Sequence, residues 1–269
     1  MTSGPPSAAR PEQPRAALWR FVAAGAIGGL MSGMFGVGGG IVMVPLLIWL
    51  GRLDQRHAAA ASLAAIIPTA LVGAATYGFR GHLVIGPALV VAAGGMVGAW
   101  LGARALRAVK LTILNWAFVA LIAATALTMV FYTPHRGATG EIGTAVWLGL
   151  VVLGLVMGLA AGLFGIGGGV IAVPALMAIF GLGDLAARGT SLLVMVPSAV
   201  TGSITNWRGR LVEWRPALAA GITATAASFG GTSLAFWVPP RAGNLMFAVL
   251  LVISAIQLAA RAARQSKAR

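Results

Sequence analysis

One stretch constrains the fold more than any other, and it is written twice. Gly33-Met34-Phe35-Gly36-Val37-Gly38-Gly39-Gly40-Ile41-Val42-Met43-Val44-Pro45 returns 129 positions later as Gly162-Leu163-Phe164-Gly165-Ile166-Gly167-Gly168-Gly169-Val170-Ile171-Ala172-Val173-Pro174. Every glycine, the phenylalanine, the last valine and the proline are kept. Gly25 and Gly29 fall on Gly154 and Gly158 at the same offset. Spacing kept this closely implies two homologous halves.

The surroundings of the stretch decide its physics. Between Arg20 and Arg52 no side chain is charged, and nearly all are apolar. Each of three consecutive glycines would cost a helix roughly 1 kcal/mol relative to alanine, so a helix is expected to break there. A break at bilayer depth leaves backbone N–H and C=O groups without partners, which is tolerated only where the segment is packed in protein or lines a wet cavity. The glycines therefore point to a functional interior and away from a lipid-facing surface.

Composition agrees with a bilayer as solvent. Only 9% of the 269 residues are charged and the mean hydropathy is +0.92, whereas a soluble domain has about 25% charged residues. The chain reads as an all-α polytopic membrane protein. It has no cysteine, which removes disulfides, thiolate catalysis and cysteine-based metal sites. The formal charge of +14 would suggest nucleic acid in a soluble protein. Here the basic residues sit in short connections and at the tail, where positive-inside bias and anionic lipid account for them, so no nucleic-acid partner is expected.

Charge-free intervals mark the segments: 21–51, 57–79, 81–103, 111–135, 142–183, 189–207, 216–240 and 242–260. They form two homologous four-segment repeats, eight hydrophobic segments in all. Six intervals have the length of one spanning helix, about 20 residues. The two longer ones, 21–51 and 142–183, are the two that contain the glycines. The first segment of each repeat is therefore expected to be broken or re-entrant at the glycine motif, as two half-helices, the second starting at Ile41 or Val170. If all segments cross once, the basic residues divide less unevenly between the two sides. If segments one and five enter and return, Arg52, Arg56, Arg104, Arg107 and Lys110 join Arg20, Arg208, Arg210 and Arg215 on one side, leaving Arg80, Arg136, Arg188 and Arg241 on the other. The second arrangement has the stronger bias and makes the repeats inverted, a design common in secondary transporters.

The expected organisation is a disordered N-terminal tail over residues 1–16, a first membrane repeat over 17–135, a second over 142–261 and a basic C-terminal tail over 262–269. Residues 1–16 carry Pro5, Pro6, Pro11 and Pro14 and cannot bury a core. The apolar run that follows is too long for a signal-peptide core, so no cleavage is expected. At the offset of 129, Ser62 falls on Ser191, Pro68 on Pro197, Gly73 on Gly202, Pro87 on Pro216 and Gly102 on Gly231. Asp54 and Asp184 precede segments two and six, where N-capping is the favoured role. The rows Gly25, Gly29, Gly33 and Gly94, Gly98, Gly102 each place small residues on one helix face, as close helix packing requires.

The doubled motif, together with Arg188-Gly189-Thr190-Ser191-Leu192 leading through Pro197, Gly202 and Asn206 to Gly209, resembles the sulfite exporter TauE/SafE family of bacterial membrane proteins over about residues 20–260. In the first half Ala60-Ala61-Ser62-Leu63 stands where Gly-Thr-Ser-Leu would be expected, so the threonine hydroxyl is missing there. The resemblance implies a multi-pass protein of the bacterial cytoplasmic (inner) membrane that moves sulfite or organosulfonate anions, often outward.

The residues make their own case for a small anionic substrate. Helices beginning just after the glycines would turn free N–H groups and the positive end of the helix dipole toward mid-membrane, which favours oxyanions. Gly38, Gly39, Gly40, Gly167, Gly168 and Gly169 are the candidate substrate-binding backbone; the rival reading is that they only allow tight crossing. Ser62, Thr190, Ser191, Asn206 and Tyr77 could complete a site, or could bond their own helix backbone. Thr69 and Ser198, each one residue after a proline, are expected to patch the carbonyl that proline frees. His57 could relay a proton or sit at the rim. No catalytic constellation, metal site or cofactor motif is present: Gly36-Val37-Gly38-Gly39-Gly40-Ile41 misses the dinucleotide register, and no Lys-Ser or Lys-Thr follows it. The expected protein is thus a transporter and not an enzyme, with an anion channel of the same architecture as the alternative and homo-oligomerisation left open.

Overall fold

The computed structural model describes residues 18–131 and 144–267, so the expected tail over residues 1–16 and the connection between the halves lie outside the described residues. The described residues form ten helices and no strand. The first half holds α1 (Leu18–Phe35), α2 (Gly40–Trp49), α3 (Gln55–Phe79), α4 (Ile85–Ala108) and α5 (Leu111–Phe131). The second holds α6 (Thr144–Phe164), α7 (Gly169–Ala178), α8 (Asp184–Arg208), α9 (Trp214–Trp237) and α10 (Pro240–Lys267), the last running into the stretch expected as a tail. Six of these, α1, α3, α4, α5, α6 and α10, are long and apolar enough to cross a membrane. Helices α8 and α9 have the length, at 25 and 24 residues, but not the apolarity. Counting charges alone overlooks how many of their positions are hydroxyl or glycine.

Intervals one and five each hold two helices, broken at the glycines. Gly36, Gly38 and Gly39 have φ of 70°, 75° and 70°, and Gly165, Gly167 and Gly168 have 70°, 75° and 84°. This left-handed backbone costs other residues roughly 1–2 kcal/mol each, so the glycines set the break. The second helices begin at Gly40 and Gly169, with Gly39 and Gly168 as N-caps, one residue before the expected starts.

Each short helix folds back along the one before it. Arg20 Nη1, at the start of α1, donates to the Leu50 carbonyl just past the end of α2, 3.3 Å away. A methyl built on Gly51 would lie 2.7 Å from the Phe21 ring. Halfway along, Gly28 faces the Met43 side chain. In the second half Gly149 faces Phe180 and Gly168 faces Met157 in the same way. Thus α1–α2 and α6–α7 are helical hairpins.

The longer helices pair across the halves. The row Gly25, Gly29, Gly33 lies against the α9 backbone at Ala220, Ala224 and Ser228, and Gly94, Gly98, Gly102 lies against α6 at Val151, Leu155 and Leu159. Both rows do the close packing their spacing predicts. Helices α3 and α8 run antiparallel, with Gly73 on Leu192 and Gly202 on Leu63. Phe35 stacks on Phe247 and Phe164 on Phe118, each pair 5.0 Å between ring centres. The offset of 129 exchanges the α1–α9 and α4–α6 pairings, the two α3–α8 contacts and the two phenylalanine pairs.

Two ends of the bundle follow from the contacts. At one, Arg56 Nη2 donates to Val109 O at 2.8 Å, Arg107 lies over Gly209, and Trp207 meets Trp214. At the other, Val84 N donates to Thr190 Oγ1 at 3.1 Å and Arg80 stacks on Phe236. Between the ends the outward faces are apolar, with Leu89, Leu218, Ile222 and Phe229 exposed.

Candidate functional site

The two glycine turns cross at the centre. A methyl built on Gly40 would lie 2.5 Å from Ile166 Cα, and one on Gly169 would lie 2.6 Å from Val37 Cα. Each short helix thus starts on the main chain of the other turn, and all residues from Ser32 to Pro45 are buried. Val42 and Met43 N–H groups bond back to Gly39 O at 3.1 and 2.9 Å, as Ile171 and Ala172 do to Gly168 O. The earlier amides, of Gly40, Ile41, Gly169 and Val170, precede any carbonyl that a helix could offer them. Two positive helix ends therefore converge.

Most of the room that the glycines provide is taken by protein. Gly39 abuts the Gly28 carbonyl, and Gly40 and Gly169 meet backbone. Gly38 and Gly167 differ, because both face the methyl of Met195, with Ile66 beside them. Ile66 and Met195 are equivalent at the offset of 129, so one pair of side chains from α3 and α8 fills the point where the turns cross. Methionine is flexible, and this contact is the most readily displaced in the centre.

The remaining candidates fall one or more turns away. Ser62 is fully buried and its hydroxyl has no partner. Its equivalent Ser191 makes a 3.8 Å contact with Met195 Sδ. Thr190 is held as the acceptor for Val84 N, a role the missing hydroxyl at Ala61 cannot repeat. Tyr77 Oη donates to Gly33 O at 3.0 Å. Asn206, the residue equivalent to Tyr77, is also fully buried, yet neither atom of its amide has a partner. The structure thus groups Gly38, Gly167, Ile66 and Met195 at the centre, with Tyr77, Thr190 and Ser191 toward one end and Ser62 and Asn206 toward the other.

Four local readings are settled by geometry. Asp54 is the N-cap of α3, accepting from His57 N at 2.9 Å, and its second oxygen lies 2.8 Å from His57 Nδ1. Burial pushes this carboxyl up, but the hydrogen bonds from His57 outweigh it and hold the Asp54 pKa below the ordinary value. Asp184 is not a cap: Gly183 holds that position, and Asp184 is the first residue of α8. Nor do Thr69 and Ser198 patch the carbonyls that the prolines free. They bond Ala65 O at 2.8 Å and Val194 O at 3.1 Å, one residue further along, because a helical hydroxyl reaches its own i−4 carbonyl.

Charge counting took Arg188 as a boundary charge on one side of the membrane, whereas only 3% of it is exposed. Its Nη1 donates to Met34 O at 2.7 Å and its Nη2 lies 3.7 Å from Asp184 Oδ2. Treating charges as segment boundaries hid this pair. The signal available was the offset itself, which sets Asp184 and Arg188 against Gln55 and Ala59.

Two apolar grooves of about 430 Å³ each lie on the outer wall, one around Pro68 and Leu218 between α3 and α9, the other around Val97 and Leu155 between α4 and α6. Their linings suit acyl chains, and neither reaches the glycine turns.

Long helices with apolar faces turned outward, wrapped around two broken ones, make this an integral multi-pass membrane protein. A sequence profile for the family described as sulfite exporter TauE/SafE matches residues 2–129 and 150–269. A probable membrane transporter protein, YunE of Bacillus subtilis, is 30% identical over 240 residues, covering 78% of this chain and 84% of the relative. Probable membrane transporter proteins of Xylella fastidiosa and Haemophilus influenzae are 26% and 28% identical, each over 87% of this chain and over 92% and 95% of the relatives. The chain belongs to the TauE/SafE family of membrane transporters.

Proposed function

We propose that the chain is a secondary transporter that carries a small anion, sulfite, an organosulfonate or a related sulfur oxyanion, outward across the bacterial cytoplasmic membrane by alternating access. The observation that carries this reading is the crossing of the two turns, which brings the N-terminal ends of α2 and α7 into one neighbourhood. Converging helix dipoles and unpaired amides favour an oxyanion without a buried cationic side chain at the seat. Gly38 and Gly167 are the substrate-facing glycines, reached when the Met195 methyl swings away. Ser62 and Ser191 stand one turn to either side along α3 and α8, as a hydroxyl for each access route. Gly39, Gly40, Gly168 and Gly169 hold the turns in shape.

The halves act as inverted repeats of four hydrophobic segments, the first of each being a re-entrant hairpin. Three relations support this: the antiparallel course of α3 and α8, the parallel pairing of α1 with α9 and α4 with α6, and the return of Leu50 to Arg20. The end with Arg20, Arg52, Arg56, Arg107, Lys110, Arg208 and Arg210 faces the cytoplasm, as positive-inside bias requires. Alternating access then exchanges the roles of the two halves around a fixed centre.

Flux of sulfite, sulfoacetate and taurine into liposomes holding the purified chain tests the reading. Saturable uptake, accelerated by unlabelled substrate on the far side, is expected for at least one sulfur oxyanion. Non-saturating flux without countertransport would make the chain a channel, and no flux of any of them would remove the substrate class.

A further inference from the structure

The ends of α1 and α6 are equivalent in sequence but finished by different chemistry. A helix leaves its last carbonyls unpaired and carries partial negative charge there. At α1 two of these carbonyls are covered by side chains: Tyr77 donates to Gly33 O and Arg188 to Met34 O. The guanidinium is a cation fixed on a helix C-terminus, and Gly36 just beyond packs on the Arg188 main chain.

At α6 the corresponding carbonyls are those of Gly162 and Leu163, and Gly165 packs on the Ala59 main chain. Alanine stands where arginine would be, and its methyl cannot reach a carbonyl. Asn206 stands in place of Tyr77, fully buried, with both amide atoms unpartnered. Among the described residues no side chain donates to the Gly162 or Leu163 carbonyl. Two basic side chains of that end are engaged elsewhere, Arg56 on the Val109 carbonyl and Arg107 against Gly209. Buried polar groups of native proteins have partners, which include ions and water.

We infer that a monovalent alkali cation binds at the C-terminal end of α6, held by the Gly162 and Leu163 carbonyls and by Asn206 Oδ1, in the place that the Arg188 guanidinium takes at the end of α1. The ligands are hard and neutral oxygens, which suit Na⁺ or K⁺. The acidic side chains of this end, Asp54 and Glu213, are solvent-exposed, and a divalent ion would call for carboxylates. One half therefore carries its cation covalently and the other takes it from solution. This goes beyond the anion seat and rests on the transporter reading only for its use, which is coupling of cation movement to substrate at a helix C-terminus.

Melting temperatures of the purified full-length chain in NaCl, KCl, LiCl and choline chloride at equal ionic strength test the site without any substrate. A saturable rise of about 3 °C over choline is expected for Na⁺ or K⁺ at ten times its Kd. Asn206→Leu should remove it, and Ala59→Arg should raise the melting temperature in choline and abolish the response to salt. Equal melting temperatures for the wild type in all four salts would overturn the site, as would an undiminished shift in Asn206→Leu. If neither variant folds, Asn206→Asp should respond to a lower cation concentration, and an unchanged response overturns the site as well. Sulfite added in choline reads the anion seat separately: a sulfite shift without an alkali shift removes the cation site and leaves the anion reading standing.

Discussion

At the start of α3 a single carboxylate caps the helix and orders a histidine. Asp54 binds the His57 amide and lies against its ring, and these bonds keep its pKa low. A carboxyl with a lowered folded-state pKa adds stability at pH values above its unfolded pKa and loses it as pH falls through the folded value. Asp54→Ala is therefore expected to cost about 1 kcal/mol at neutral pH, with the gap to wild type closing below about pH 4. Unfolding curves across that range would refute this if the gap stayed constant. This cap was legible because capping is local and its partner is three residues away. The fate of Asp184 was not, since Arg188 beside it is committed to Met34, 154 positions earlier.

The hairpins are the elements in which sequence and structure meet most closely. Interval length and consecutive glycines together announced a break. The direction of the second helix was left to charge counting, because nothing within residues 33–45 states which way the chain leaves the turn. What each glycine is for was also hidden, since the answer lies in the opposite wall. Gly38 and Gly39 share the left-handed backbone, but a methyl on Gly38 meets the end of Met195, whereas one on Gly39 meets the carbonyl of Gly28 within α1. Gly38→Ala should keep most of the folded yield and lose roughly 1–2 kcal/mol. Gly39→Ala should lose distinctly more, by thermal melting of the detergent-solubilised protein. Equal losses would mean that the two turns are not packed as described.

For the whole molecule, the hairpin reading fixes which connections share a side. The chain contains no cysteine, so single cysteines report cleanly. Cysteines replacing Arg52, Lys110 and Arg210 should react with an impermeant maleimide from one face of the membrane, and those replacing Arg80 and Arg241 only from the other. Labelling of positions 52 and 80 from the same face would break the arrangement. The doubled stretch announced two halves, but an offset between residues cannot say that α1 lies on α9 and α6 on α4, because pairing across halves leaves no trace in spacing.

That pairing has a consequence for how the chain is made. When the ribosome has delivered α1 and α2, the glycine face of α1 and the main chain at Gly40 have no surface to rest against, since both are claimed by segments not yet synthesised. The early hairpin must wait in lipid or with an insertion partner until α6 through α9 arrive. Neither half should persist when expressed alone, and only their joint presence should yield a protease-resistant product.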